Sequence, residues 1–258
     1  MRCNHPIVVR GVIFPCGHCM PCRINRREEW TTRIVHECEY ASSSCFVTLT
    51  YSPLHAPIYE DPDGNLSYVP SKSDVQEFIH KLRKKAGNGV RYYIGSERGP
   101  TTNRPHYHGI IWNLPQECMA KDFLESVWSK GFVTVSEVTR QRAAYVAKYH
   151  VEREDFRGKP FPDFSLMSRR PGIGNRFIMD NIESIGGNEL SYTYRQGKKV
   201  PLPRYYRNKA YSEETRERKF SEYLAKQDFS EFERRHRIGG ELDSLMERDY
   251  KSKHKKEI

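Results

Sequence analysis

Val90-Arg-Tyr-Tyr-Ile-Gly-Ser-Glu97 and Pro105-His-Tyr-His-Gly-Ile-Ile-Trp112 are two runs rich in β-branched and aromatic residues, joined by a turn-rich link from Arg98 to Arg104. Each reads as a strand, and the short link predicts an antiparallel pair. Side chains on a strand alternate faces with a period of two. His106 and His108 therefore point one way, and Tyr107 and Gly109 the other. If Glu97 on the first strand stands opposite the histidines, one sheet face carries two imidazoles and a carboxylate.

Outward from this hairpin, Cys45-Phe-Val-Thr-Leu-Thr-Tyr51 reads as a further strand. Residues 23–41 read as a helix with Ile24, Trp30, Ile34, Val35 and Cys38 on or near one face. A Pro/Asp/Gly-marked loop runs to about residue 70. Ser73-Asp-Val-Gln76 has the pattern of a capping box. The helix it opens carries Val75, Phe78, Ile79 and Leu82 inward and stops at Gly87. Helix 116–129, strand 132–138 and helix 140–150 follow. This order predicts an α+β fold, an antiparallel central sheet covered by helices. The expected division is a Cys-rich candidate zinc segment (1–22), a core (23–150), an irregular Arg/Gly/Pro-rich extension (151–210) and a charged helical tail with sparse packing (211–258).

The net charge of +10 points to an anionic partner, because Lys and Arg neutralise phosphates. Aromatic residues make up 12%, with 16 Tyr, which suits base stacking on single strands. No run approaches the roughly 18 apolar residues of a membrane span, so no membrane partner is expected. No apolar stretch follows the N-terminal basic residues, so no secretory signal is expected. Seven cysteines, an odd number, with Cys16-x-x-Cys19-x-x-Cys22 among them, argue for a reducing compartment and a metal site rather than a disulfide framework.

Two imidazoles and a carboxylate suit Mg²⁺ or Mn²⁺ and leave positions open for a scissile phosphate. Tyr145-Val-Ala-Lys-Tyr149 lies among good helix formers, and residues i and i+4 share one helix face. Two phenols, Tyr145 and Tyr149, are thus offered to one site. A phenol with its ordinary pKa of about 10 is a weak nucleophile and needs a cation beside it. Lys148 is available on a neighbouring face. A bare His-x-His or Tyr-x-x-x-Tyr is ordinary in sheet faces and cores; the chemistry rests on their combination. Cys3, Cys16, Cys19 and Cys22 offer four thiolates to Zn²⁺, with His5 or His18 as a substitute ligand. An iron–sulfur cluster and unligated thiols stay open as alternatives. Cys38, Cys45 and Cys118 read as ordinary buried residues. Arg23, Arg26, Arg27, Arg33, Arg104, Arg169 and Arg170 are candidate phosphate contacts.

Phe46-Val-Thr-Leu-Thr-Tyr51, Arg104-Pro-His-Tyr-His-Gly-Ile-Ile-Trp112 and Ala144-Tyr-Val-Ala-Lys-Tyr149 stand in the order of the three motifs of HUH-type rolling-circle replication initiators. The chain resembles the replication proteins of gokushovirus-group microviruses. It is similar to them also at Cys16-Gly-His-Cys-Met-Pro-Cys-Arg23, at His36-Glu37 and at Met167-Ser-Arg-Arg-Pro-Gly-Ile-Gly174. The likeness covers roughly residues 1–175. It departs at Gly95-Ser-Glu-Arg-Gly99, where the family pattern is Gly-Glu-aromatic-Gly, so the two histidines match the family more closely than Glu97 does. The resemblance implies an HUH, RRM-like sheet and a nick at a defined origin in duplex DNA. One tyrosine would join the 5′-phosphate of the cut single strand, and the 3′-OH would prime a host DNA polymerase working with a host helicase. The second tyrosine would cut the regenerated origin and release a unit-length single-stranded circle, all in the cytoplasm of a bacterial host. A relaxase or single-strand transposase uses the same chemistry in another motif order. A zinc-stabilised DNA-binding or virion protein without catalysis is the alternative from a different class.

Overall fold

The structure is a computed structural model that describes residues 2–99, 101–151 and 161–253, with backbone alone at 149–151 and 250–253. Two short strands, β1 (Ile7–Val9) and β2 (Val12–Phe14), precede the long helix α1 (Met20–Tyr40). Then come β3 (Ser44–Tyr51), a small hairpin of β4 (Ile58–Glu60) and β5 (Leu66–Tyr68), and α2 (Lys72–Ala86). The central hairpin is β6 (Arg91–Arg98) and β7 (Pro105–Trp112). A 3-10 turn (Gln116–Met119) leads to α3 (Lys121–Trp128), β8 (Gly131–Ser136) and α4 (Arg140–Val151). Later elements are β9 (Ser165–Met167), α5 (Asn175–Asp180), α6 (Ile182–Gly187), β10 (Tyr192–Arg195) and β11 (Lys198–Pro201). Helices α7 (Arg204–Ala210), α8 (Glu213–Ala225) and α9 (Phe229–Lys253) complete the described chain.

The chain forms two compact units. One comprises residues 30–180 and 195–197; the other comprises the described residues of 1–29, 181–194 and 198–258. The first is built on a five-stranded sheet in the order β8-β3-β7-β6-β9, antiparallel at every pairing. Its alternating pattern buries both faces. Cys45, Val47, Leu49 and Tyr51 of β3, Ile94 of β6, and Tyr107 and Ile111 of β7 face one layer. Val75, Phe78, Ile79 and Leu82 of α2 and Leu124, Val127 and Trp128 of α3 cover it. The opposite face carries Phe46, Tyr93, Ile110 and Trp112, covered by Ile34 and Val35 of α1 and by Ala143, Val146 and Ala147 of α4. Burying each large apolar side chain stabilises the fold by roughly 1.5–3 kcal/mol.

Three local expectations change. The α2 N-cap is Ser71, whose Oγ accepts the Asp74 N–H at 3.2 Å. Ser73 to Gln76 is already helical, so no capping box forms there. The helix expected over 116–129 is split, because Ala120 takes an extended conformation between the 3-10 turn and α3. Residues 151–210, expected to be irregular, include two short strand pairings and three short helices among the described residues. Elements of three to seven residues are shorter than the 11–18-residue window in which periodicity shows.

In the second unit, β1 and β2 form a hairpin turned by Arg10 and Gly11 at φ 51° and 76°. α8 buries no residue. α9 is held by polar bonds: Asp243 accepts from Asn4 Nδ2 at 2.8 Å and lies 2.9 Å from His5 Nε2. Arg235 donates to the Cys3 carbonyl at 2.9 Å. Gly239 makes the approach possible, since a Cβ there would lie 2.6 Å from the Asn4 carbonyl oxygen.

Candidate functional site

The β6–β7 register pairs Glu97 with His106 and Gly95 with His108. All four lie on one face, and Gly95 puts no side chain beside the His108 imidazole. Glu97 Oε2 stands 3.3 Å from His106 Nε2 and 3.2 Å from His108 Nε2. The three ligand atoms lie within 4.8 Å of one another, and all three residues are half-buried. On β3, Thr48 pairs with His108 and places Oγ1 3.0 Å from its Nδ1. His106 Nδ1 lies 3.4 Å from the Arg104 carbonyl. Both rings thus turn Nδ1 toward an oxygen and Nε2 toward Glu97, the presentation a metal-binding imidazole needs. The donor set fits a hard divalent cation, with one carboxylate and two imidazole nitrogens from one side and an open approach from the other.

α4 brings the phenol. Ala143, Val146 and Ala147 turn to the sheet, which leaves Tyr145 at the rim, 37% exposed. Its hydroxyl donates to Glu97 Oε2 at 2.7 Å, and its ring meets His108 edge-on at 5.2 Å between centroids. The Lys148 ammonium lies 6.0 Å from the Tyr145 ring centroid. Phe46 stacks on His108 at 5.9 Å, and the Arg142 guanidinium sits 5.6 Å from the Phe46 ring centroid. Tyr149 is one helical turn on from Tyr145, and its side chain lies outside the described residues. Thr48, Phe46 and Arg142 are the contacts the sequence reading did not assign. The signal for Thr48 was its odd-even match to His108 once β3 and β7 are paired.

Cys3, Cys16, Cys19 and Cys22 converge, with their sulfurs within 4.8 Å of one another. Cys3 Sγ lies 3.5 Å from Cys16 Sγ and 3.6 Å from Cys19 Sγ. These spacings far exceed a disulfide bond and approach the ~3.8 Å edge of a tetrahedron with metal–sulfur bonds of ~2.3 Å. Burial works against ionising Cys16, but the N–H groups of Cys19 and His18 outweigh it and bring its thiol down to about 7. Burial pushes Cys3 up to about 11 and Cys22 higher still. Asn4 N–H also points at Cys19 Sγ, at 3.4 Å. Backbone donors aimed at sulfur are what a bound thiolate requires. His5 is turned to Asp243.

The candidate arginines divide. Arg26, Arg169 and Arg170 are exposed. Arg23 and Arg27 are half-buried on α1. Arg33 lies over the Trp30 ring at 4.1 Å and donates to the Ile173 carbonyl at 3.0 Å. Arg104 donates to the Tyr51 carbonyl at 2.8 Å. Arg33 and Arg104 are thus engaged within the fold.

A family model for replication-associated proteins of the ORF2 type matches residues 44–154. That span starts at the first residue of β3 and passes the end of α4, so it contains Glu97, both histidines and both tyrosines. The chain is 27% identical over 240 residues to Replication-associated protein VP4 of Bdellovibrio phage phiMH2K, covering 83% of this chain and 71% of that protein. It is 31% identical over 216 residues to Replication-associated protein ORF2 of Spiroplasma virus 4, covering 74% of this chain and 66% of that one. The chain belongs to the phage replication-associated proteins. No solved structure matches it. Among the described residues of this replication-associated protein, no helix is long and apolar enough to cross a membrane.

Proposed function

We propose that this protein initiates rolling-circle replication of a viral genome as an HUH endonuclease, nicking the origin strand through a 5′-phosphotyrosine. The observation that carries this reading is the 2.7 Å bond from the Tyr145 hydroxyl to Glu97 Oε2, the same oxygen that faces both histidines. A nucleophile and a candidate cation site thereby share one atom. The core is residues 23–150, with an HUH, RRM-like sheet; residues 1–22 are its zinc segment, and 151–210 and 211–258 are extensions.

Mg²⁺ or Mn²⁺ held by His106, His108 and Glu97 would withdraw charge from the oxygens of the scissile phosphate. The chain's own groups do the rest. Glu97 orients the Tyr145 hydroxyl and is placed to draw off its proton. The phenol oxygen forms a bond to phosphorus, the bond to the 3′-oxygen breaks, and that oxygen leaves with its electron pair and is protonated. The ammonium of Lys148 lowers the cost of negative charge at the phenol. The ester bond energy is kept in the phosphotyrosine, so resealing needs no nucleotide. Tyr149, one turn along, serves the second cut. The free 3′-OH primes a host polymerase, with a host helicase opening the duplex, in the host cytoplasm. Zn²⁺ is the metal that fits the four thiols.

The test is supercoiled origin DNA with Mn²⁺. We expect a nicked circle carrying a denaturation-resistant protein adduct, lost in Glu97→Gln and in His106→Ala. Nicking that survives both changes would place the chemistry elsewhere.

A further inference from the structure

Met167-Ser-Arg-Arg-Pro-Gly-Ile-Gly174 and His36-Glu37 have no part in the chemistry above, yet the fold joins them. One Glu37 carboxylate oxygen accepts the Gly174 N–H at 2.6 Å, and the other pairs with Arg91. Arg91 in turn donates to the carbonyls of Pro171 at 3.0 Å and Gly172 at 3.1 Å. Arg33 holds the Ile173 carbonyl, and the Ile173 side chain is fully buried. The Ser168 N–H donates to the Tyr92 carbonyl at 3.0 Å, and Arg169 bridges Gly172 across the loop. His36 is buried and stacks on Phe177 at 3.7 Å. A loop tied at this many backbone groups is rigid, and what it presents is Arg169 and Arg170, both exposed. Pro171 lines a cleft of about 470 Å³ together with Tyr40, Asn113 and Arg176. From Ser168 to Arg176 there are three arginines and no acidic residue.

We infer that this braced loop, with Arg169, Arg170 and Arg176, is a docking site for the phosphate backbone of duplex DNA flanking the nick. The inference rests on the nicking reading for its geometry. Arg91 and Glu97 are six residues apart on β6, about 20 Å at the rise of a strand. That length is about six base pairs of duplex at 3.4 Å per pair. Duplex is favoured over single strand by what the patch lacks. Single-strand sites need exposed aromatic platforms. The aromatic rings beside these arginines are occupied: Phe177 by His36, and Tyr40 by Phe177 and Arg176. Charge on a rigid frame is what remains, and that recognises a regular backbone. Glu37 and Arg91 are positioning residues that hold the frame.

The test is the salt dependence of binding, by fluorescence anisotropy, to a duplex and to a single-stranded oligonucleotide of the same sequence. Arg169→Gln with Arg170→Gln and Arg176→Gln is compared with the three matching changes to Lys. We expect the duplex slope of log K against log salt to shallow by about 2–3 in the Gln variant, near 0.9 per phosphate lost. The Lys variant should keep the slope, and the single-strand slope should move less. Equal slopes for the Gln variant and the parent on duplex, or an equal loss on the single strand, would overturn the inference. A parent that binds duplex through this loop but never nicks would sink the nicking reading and leave the loop assignment standing.

Discussion

At the scale of single residues, the site depends on which nitrogen each imidazole presents. Thr48 Oγ1 beside His108 Nδ1 favours the tautomer whose Nε2 lone pair faces Glu97. Thr48→Val removes that oxygen at nearly constant shape. Mn²⁺ affinity, read by electron paramagnetic resonance titration, should fall about 10-fold or more, as for other partners of metal-bound histidines. Thr48→Ser should restore most of it. An unchanged affinity in the valine variant would show that Thr48 does not orient the ring. Cys16 gives a second residue-scale test. Its thiol sits at about 7, below its ordinary value of 9.0, so in metal-free protein it is largely thiolate above neutral pH and protonates as pH falls through 7. The thiolate is the reactive form. Iodoacetamide at pH 7.5 should therefore mark Cys16 ahead of Cys3 and Cys22, whose thiols burial holds up. Mass mapping that finds Cys3 or Cys22 labelled first would contradict this ordering.

At the scale of elements, the two-residue period of β7 separates chemistry from packing. Its even positions hold His106 and His108; its odd positions bury Tyr107 and pack Gly109 against β6. The Tyr107 hydroxyl lies 2.9 Å from that of Tyr51, accepts the Ser71 N–H at 2.8 Å and so ties β7 to the start of α2. A Cβ on Gly109 would lie 2.5 Å from Ile94 Cγ1 and 2.9 Å from the Tyr93 carbonyl oxygen. Gly109→Ala should destabilise the protein by about 1–3 kcal/mol in urea unfolding, the usual range for overpacking. A change below about 0.5 kcal/mol, on the scale of a surface substitution, would mean that the sheet is looser there than its geometry implies. These long elements were legible in the sequence because alternation in Pro105 to Trp112 and the i, i+3, i+4, i+7 spacing of Val75, Phe78, Ile79 and Leu82 are decisive over their length. The α2 cap at Ser71 was not, because Ser73 offered a competing local pattern. β9 was not, because a three-residue edge strand is defined by its partner β6 rather than by its own sequence.

At the scale of the whole molecule, two separate clusters of candidate ligands belong to two units. The Cys3–Cys16–Cys19–Cys22 group lies in one, and Glu97, His106 and His108 in the other. The first organises a segment too short to fold on its own, and residues 3–5 of that segment bind α9. Stripping a thiolate-bound metal with a strong chelator should therefore expose residues 3–22 and α9 to protease. The central sheet should stay protected. Uniform cleavage across both units, or none, would show that the cysteine cluster does not carry that role. The sequence showed both ligand sets, since spacing and alternation are local. It did not show that the charged tail contributes partners to the N-terminal segment, because Asn4 and Asp243 are joined only by the fold. It also gave no sign that Arg33 is drawn inward to the Ile173 carbonyl.

The central claim is that Tyr145 or its neighbour Tyr149 becomes esterified to DNA. Tandem mass spectrometry of the adduct formed with an origin oligonucleotide and Mn²⁺ measures this directly. The peptide spanning residues 143–148 should carry the nucleotide mass on Tyr145, or the adjoining one on Tyr149, and the Tyr145→Phe, Tyr149→Phe double variant should give no adduct. An adduct on any other residue, or one that persists in the double variant, would contradict the assignment.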